Sequence, residues 1–118
     1  MARILLAEDE VPVREFVRRA LELKGHQVTA VADGAEALER LGTAGYDLLL
    51  TDIVMPVMDG IALALKASRE FPSLKILMMT GYAAEKQRAH NLDALIHDVV
   101  VKPFSIDEIT SRVADALG

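Results

Sequence analysis

The chain has 118 residues, a net charge of −5 and no cysteine. That length suits one domain around one hydrophobic core, and the missing cysteines exclude a disulfide framework, a thiolate nucleophile and a Cys-based zinc site. The acidic balance argues against general nucleic-acid binding. The residues are 52% hydrophobic, but charge interrupts them everywhere, and no apolar stretch approaches the ~20 residues of a membrane-spanning helix. The opening MARILLAEDE turns acidic too soon for a signal peptide. A cytoplasmic location is the default expectation, and so is a single domain over residues 1–118 with no output domain.

Arg3–Ala7 reads as a short apolar strand. Pro12 suits a first helical position and Gly25 a C-terminal cap, with Val13, Phe16, Val17, Ala20 and Leu21 on one face between them. Gln27–Val31 is a second strand. Asp33 and Glu36 form a capping signal for a helix that stops near Gly42. Asp47–Thr51, with Leu48, Leu49 and Leu50 in a row, is a third strand buried on both faces. Asp59-Gly60 opens a helix to about Arg69, and Phe71-Pro72 ends it. Leu74–Met79 and Asp98–Val101 are the fourth and fifth strands. Ser105 to Glu108 is a capping box for a last helix carrying Ile106, Ile109, Val113 and Leu117. Ala83 to His97 has helical composition but a poor apolar stripe, with Lys86, Arg88, His90, Asn91 and Asp93 scattered through it. A helix there is expected to be short or mobile. Strand and helix thus alternate throughout, which implies right-handed crossovers and a parallel sheet covered on both faces.

Ligands of such a sheet bind beyond the C-terminal ends of its strands. Those ends carry Glu8-Asp9-Glu10, then Thr51-Asp52, then Met79-Thr80-Gly81, then Lys102-Pro103-Phe104. Several carboxylates together repel one another unless a cation neutralises them, and Mg²⁺ takes a few oxygen ligands while keeping waters. A carboxylate is also a nucleophile towards phosphorus. An ammonium, a hydroxyl and backbone N–H groups can then hold the equatorial oxygens of a transferring phosphoryl group. The leucines would anchor Asp52, and the turn announced by Pro56 would leave its carboxylate open to a ligand.

Taken together, LLAEDE, LLLTDIVMPVMDG, MMTGY and VKPF, in that order and each at a strand end, resemble a response-regulator receiver domain over essentially the whole chain. The resemblance implies a flavodoxin-like, doubly wound five-stranded sheet in the order 2-1-3-4-5 with about five helices. It implies that Asp52 is the phosphoacceptor, that Asp9 ligates Mg²⁺ directly and Glu8 through a water, and that Val54 offers its carbonyl to the metal. Thr80 and Lys102 would contact the phosphoryl group, with Lys102-Pro103 a cis peptide. The implied partners are a histidine kinase or histidine phosphotransferase and a downstream protein target, with neither nucleic acid nor membrane. In detail the chain is similar to small alphaproteobacterial receivers that help deliver substrates to a Clp-type protease.

The residues also admit plainer readings. Glu8 to Glu10 could be ordinary charge at a helix N-terminus, and Lys102 alone a solvated lysine. His26, His90 and His97 lack metal-site spacing and read as surface residues. A haloacid-dehalogenase-like phosphatase would need a second acid two residues after the nucleophile, where this chain has Val54. A protein-binding module that never uses phosphate would tolerate loss of Asp9, Asp52 or Lys102, and all three are present. One departure concerns the switch. Many receivers carry an aromatic residue three positions before the lysine; here it is Val99, with Tyr82 the nearest aromatic.

Overall fold

The computed structural model describes residues 2–90, 92 and 94–118. Five strands alternate with five helices: β1 Arg3–Ala7, α1 Val11–Leu23, β2 Gln27–Val31, α2 Gly34–Leu41, β3 Leu48–Asp52, α3 Gly60–Glu70, β4 Lys75–Thr80, α4 Ala83–His90, β5 Asp98–Val101 and α5 Ile106–Leu117. All neighbouring strands are parallel, in the order β2-β1-β3-β4-β5. This is the flavodoxin-like, doubly wound arrangement that the family resemblance implied.

The leucine run explains the layering. Successive strand residues face opposite sides of the sheet, so Leu48 and Leu50 join the core under α1 and α5. Leu49 joins the core under α2 and α3, beside Leu63, Ala64 and Ala67. All three leucines are fully buried, and each contributes about 1.5–3 kcal/mol by leaving water. The two layers clamp β3 from both faces while β1 and β4 pair with its edges.

Helix starts follow their capping residues. The side chain of Asp33 accepts from the Glu36 N–H at 2.8 Å, that of Asp59 from Ala62 at 2.9 Å and that of Ser105 from Glu108 at 3.0 Å. At Asp33 the return contact of the capping box comes from the Ala32 N–H, which donates to Glu36 Oε1 at 3.1 Å.

Several expectations shift. The third strand starts one residue late, because Asp47 caps the ladder by exchanging bonds with the Arg3 main chain instead of extending it. At its other end β3 includes Asp52 itself, which pairs with Met79 of β4. Strand β4 likewise runs one residue later, through Thr80. Phe16 does not join the core face of α1: it is 39% exposed and lies over Phe104, ring centroids 6.4 Å apart. On α5, Ile106 is exposed and Leu117 half-buried, whereas Thr110 and Ala116 are buried. His26 is half-buried, its Nδ1 lies inside without a partner, and burial pulls its pKa down. It is therefore not the plain surface residue that was expected, whereas His97 is exposed. The readings placed on the His90 side chain, Asn91 and Asp93 lie outside the described residues.

Candidate functional site

The acidic edge begins where β1 ends. Glu8 is fully buried. Its N–H continues the sheet by donating to the Val31 carbonyl at 3.1 Å. A buried carboxylate requires donors, and Glu8 has two: Lys102 Nζ donates to Oε1 at 2.7 Å and the Glu10 N–H to Oε2 at 3.0 Å. Asp9 and Glu10 both reach solvent.

Asp52 stands at the end of β3, 5% exposed. Oδ1 accepts from the Ile53 N–H at 2.9 Å, and Oδ2 from Lys102 Nζ at 3.1 Å. The lysine arrives from the far side of the sheet. Its own N–H donates to the Thr80 carbonyl at 2.8 Å, and the Lys102-Pro103 peptide is cis, as the family resemblance implied. One ammonium is thus shared by two carboxylates that are 44 residues apart in the chain.

Charge and burial oppose each other here. Burial raises the pKa of both Asp52 and Glu8, and their bonds to Lys102 offset only part of that. Burial pushes the Lys102 ammonium down, but Glu8 and Asp52 together outweigh it and hold its pKa above the ordinary value. The lysine therefore stays charged.

Beyond the after-β3 turn the chain makes a tight γ-turn. The Met58 N–H donates to the Pro56 carbonyl at 2.7 Å, with Val57 between them at φ +67°. A β-branched residue there is strained. Gly60 then packs directly under the site: a Cβ on it would lie 2.1 Å from the Asp52 carbonyl oxygen.

A cleft of about 460 Å³ opens over these groups, lined by Asp9, Glu10, Asp52, Val54, Gly81, Tyr82 and Lys102. Thr80 stands at its edge, fully buried, its Oγ1 accepting from the Tyr82 N–H at 3.1 Å. The sequence-derived residues are therefore gathered at one edge, with different parts. Glu8, Asp52 and Lys102 are bonded together, Asp9 and Val54 line the opening, and the Thr80 hydroxyl is engaged by its own loop. Among the described residues, the carboxylate oxygens lying within 4.8 Å of one another belong to Glu8, Glu10 and Asp52. Sequence reasoning gave no ligand role to Glu10. The signal was available in the third consecutive acid, but nothing local says which of Asp9 and Glu10 turns inward.

This donor set suits a hard divalent cation. It offers only oxygen, it is more negative than Lys102 can neutralise, and it opens to water on one side. The position usually aromatic is Val99, 7% exposed in the core, while Tyr82 is 63% exposed.

Residues 4–114 match the model of the response regulator receiver domain. The response regulator receiver protein CpdR of Brucella abortus is 44% identical over 99% of this chain and 98% of its own length. The response regulator TrrA of Thermotoga maritima, solved in complex with Mg²⁺–BeF, superposes with a TM-score of 0.89 at 30% identity, covering 98% of this chain and 99% of that one. A CheY-like receiver domain protein of Methanospirillum hungatei superposes at 0.91 with 28% identity, covering 99% and 94% of the two chains. The likeness runs from the first strand to the last helix without a gap in its logic, and the chain belongs to the response regulator receiver domain family.

Proposed function

We propose that the protein is a single-domain response regulator that accepts a phosphoryl group on Asp52 and signals by changed affinity for another protein. The observation that carries this is the bonding of Lys102 to both Asp52 and Glu8 at the mouth of an open acidic cleft. In the reaction one Asp52 carboxylate oxygen forms a bond to phosphorus. The bond from phosphorus to the donor nitrogen or oxygen breaks, and its electron pair leaves with the donor. Asp52 is held for this by the Ile53 N–H and by β3, so little orientation is left to pay for at the moment of attack. Lys102 follows the charge onto the phosphoryl oxygens, and Thr80 can turn its hydroxyl to them. Glu8, Asp9, Asp52 and the Val54 carbonyl would hold Mg²⁺, with Glu10 as an added candidate. The ion supplies positive charge where negative charge develops.

The partners follow from the family: a histidine kinase or histidine phosphotransferase as donor, and a protein as target. The resemblance of its motifs to small alphaproteobacterial receivers that help deliver substrates to a Clp-type protease makes a proteolysis adaptor the favoured role, and the likeness to the receiver protein CpdR over almost the whole of both chains fits it. No described helix is long and apolar enough to cross a membrane, which fits a cytoplasmic protein.

Incubation with acetyl phosphate and Mg²⁺ should add one acid-stable, base-labile phosphoryl group. Full labelling of Asp52→Asn would refute the assignment. Metal titration of Asp9→Ala and Glu10→Gln then sorts the ligands: the variant that loses affinity names the inward carboxylate, and undiminished affinity in Asp9→Ala removes it from the set. Lys102→Ala should stay folded and bind Mg²⁺ yet respond poorly to fluoroberyllate.

A further inference from the structure

We infer that Arg14 is a positioning residue of the acidic pocket, fixing the main chain at Glu8. Glu8 lies one residue past the last ladder position of β1. Its N–H still finds a sheet partner in Val31, but its carbonyl has left the sheet. A carbonyl on a fully buried residue needs a donor. Arg14 provides it, Nη1 donating to the Glu8 oxygen at 2.9 Å.

The placement follows from helix geometry. Arg14 belongs to the first turn of α1, where its own N–H donates to the Glu10 carbonyl at 2.9 Å. Helical side chains lean towards the N-terminus. A long side chain in this turn therefore reaches back to the strand that feeds the helix. Arginine has the length, stays charged, and offers donors with no acceptor to satisfy.

The consequence lies in what Glu8 holds. Its two carboxylate oxygens receive Lys102 Nζ and the Glu10 N–H. Arg14 thus anchors the backbone of the residue on which both the shared lysine and a candidate metal carboxylate depend. It touches neither Asp52 nor a phosphoryl group and acts through Glu8. Its effect on phosphorylation rests on the reading of Asp52 as phosphoacceptor; its effect on the pocket does not.

The test compares Arg14→Met, which keeps the apolar stem but has no donor, with Arg14→Lys, which keeps a charged donor. The first readout is the amide NMR resonance of Glu10 in the metal-free protein. It should move in Arg14→Met and return in Arg14→Lys. The second is labelling by acetyl phosphate at saturating Mg²⁺, where the maximal rate should fall about three- to tenfold in Arg14→Met and recover in Arg14→Lys. The half-saturating Mg²⁺ concentration should change less than the rate. An unmoved resonance with a wild-type rate in Arg14→Met overturns the proposal. So does an Arg14→Lys protein as impaired as Arg14→Met, because the donor is then not what matters. Should Arg14→Met not fold, Arg14→Gln, which retains a shorter donor, replaces it with the same readouts and intermediate values expected. Absence of labelling in the wild type would refute the phosphoacceptor reading, and the Glu10 resonance would still decide the role of Arg14.

Discussion

The two flanks of the site are built to opposite specifications. On the acidic flank, β3 pairs with a strand on each side and all five of its residues are buried. Gly60 sits so close beneath Asp52 that no side chain fits between them. On the other flank, Gly81 has a clear 3.9 Å between the place of a Cβ and the nearest atom, Cβ of Lys102. Among the described residues of α4, Ala89 alone is buried. The contacts that follow it come from Leu92, partly buried, and Ile96. Phosphoryl transfer needs its nucleophile and its charges fixed beforehand. A response to that transfer needs an element whose rearrangement costs little. With Asp52 as the proposed phosphoacceptor, these requirements are separated in space, and Lys102 bonds across the gap to Asp52 and Glu8.

The two flanks differ most at their glycines. Gly60→Ala should cost about 3 kcal/mol or more, because its Cβ meets the Asp52 main chain, which cannot yield. Gly81→Ala should change stability by less than about 1 kcal/mol. Urea unfolding of both measures the contrast, and equal losses would erase it.

Asp52→Asn tests the electrostatic side. Burial raises the Asp52 carboxyl above the ordinary aspartate value, so the folded protein binds that proton more tightly than the unfolded chain. Folded stability is then greatest below the ordinary value and declines as pH rises through the raised one. The amide removes this cost and leaves Lys102 paired with Glu8. At pH 7 without metal, Asp52→Asn should be the more stable protein by about 1 kcal/mol. The gap should close on acidification below the ordinary aspartate range, and narrow when Mg²⁺ binds the wild type. Thermal melts across pH, with and without Mg²⁺, read it out.

Val57→Gly should stabilise by up to about 1 kcal/mol, since glycine accepts the positive φ freely. A rise of a few degrees in Tm is the sign to look for. The smallest effect belongs to Arg88, whose guanidinium reaches Asp59 at 3.4 Å across the exposed junction of α4 with the start of α3. Arg88→Ala should shift stability by no more than about 0.5 kcal/mol, and less in high salt.

Much of this division was legible in the sequence, and for identifiable reasons. Leu48 to Leu50 followed by Thr51-Asp52 announced a strand buried on both faces with a carboxylate at its end, because burial and turn chemistry are local signals. The capping residues Asp33, Asp59 and Ser105 announced three helix starts for the same reason. What escaped depended on packing between distant segments. Phe16 has core chemistry but lies over Phe104, and His26 has surface chemistry but is half-covered with its Nδ1 inside. Glu10 and Arg14 owe their places to how α1 leaves β1, and no spacing rule reports that. The weak apolar pattern from Ala83 onward did foretell a short helix, eight residues long, with Ala89 buried among its described residues.

Hydrogen exchange with and without Mg²⁺ and fluoroberyllate asks whether a fixed acidic flank receives the phosphoryl group while the lightly held flank responds. Amides beside Asp52, those of Ile53 and Gly60 among them, should be protected in both states and slow further when the mimic binds. Ala83 to His97 should exchange fast without the mimic and change clearly with it. Protection changes confined to the Asp52 pocket, with identical exchange from Ala83 to His97 in both states, would refute this division of roles.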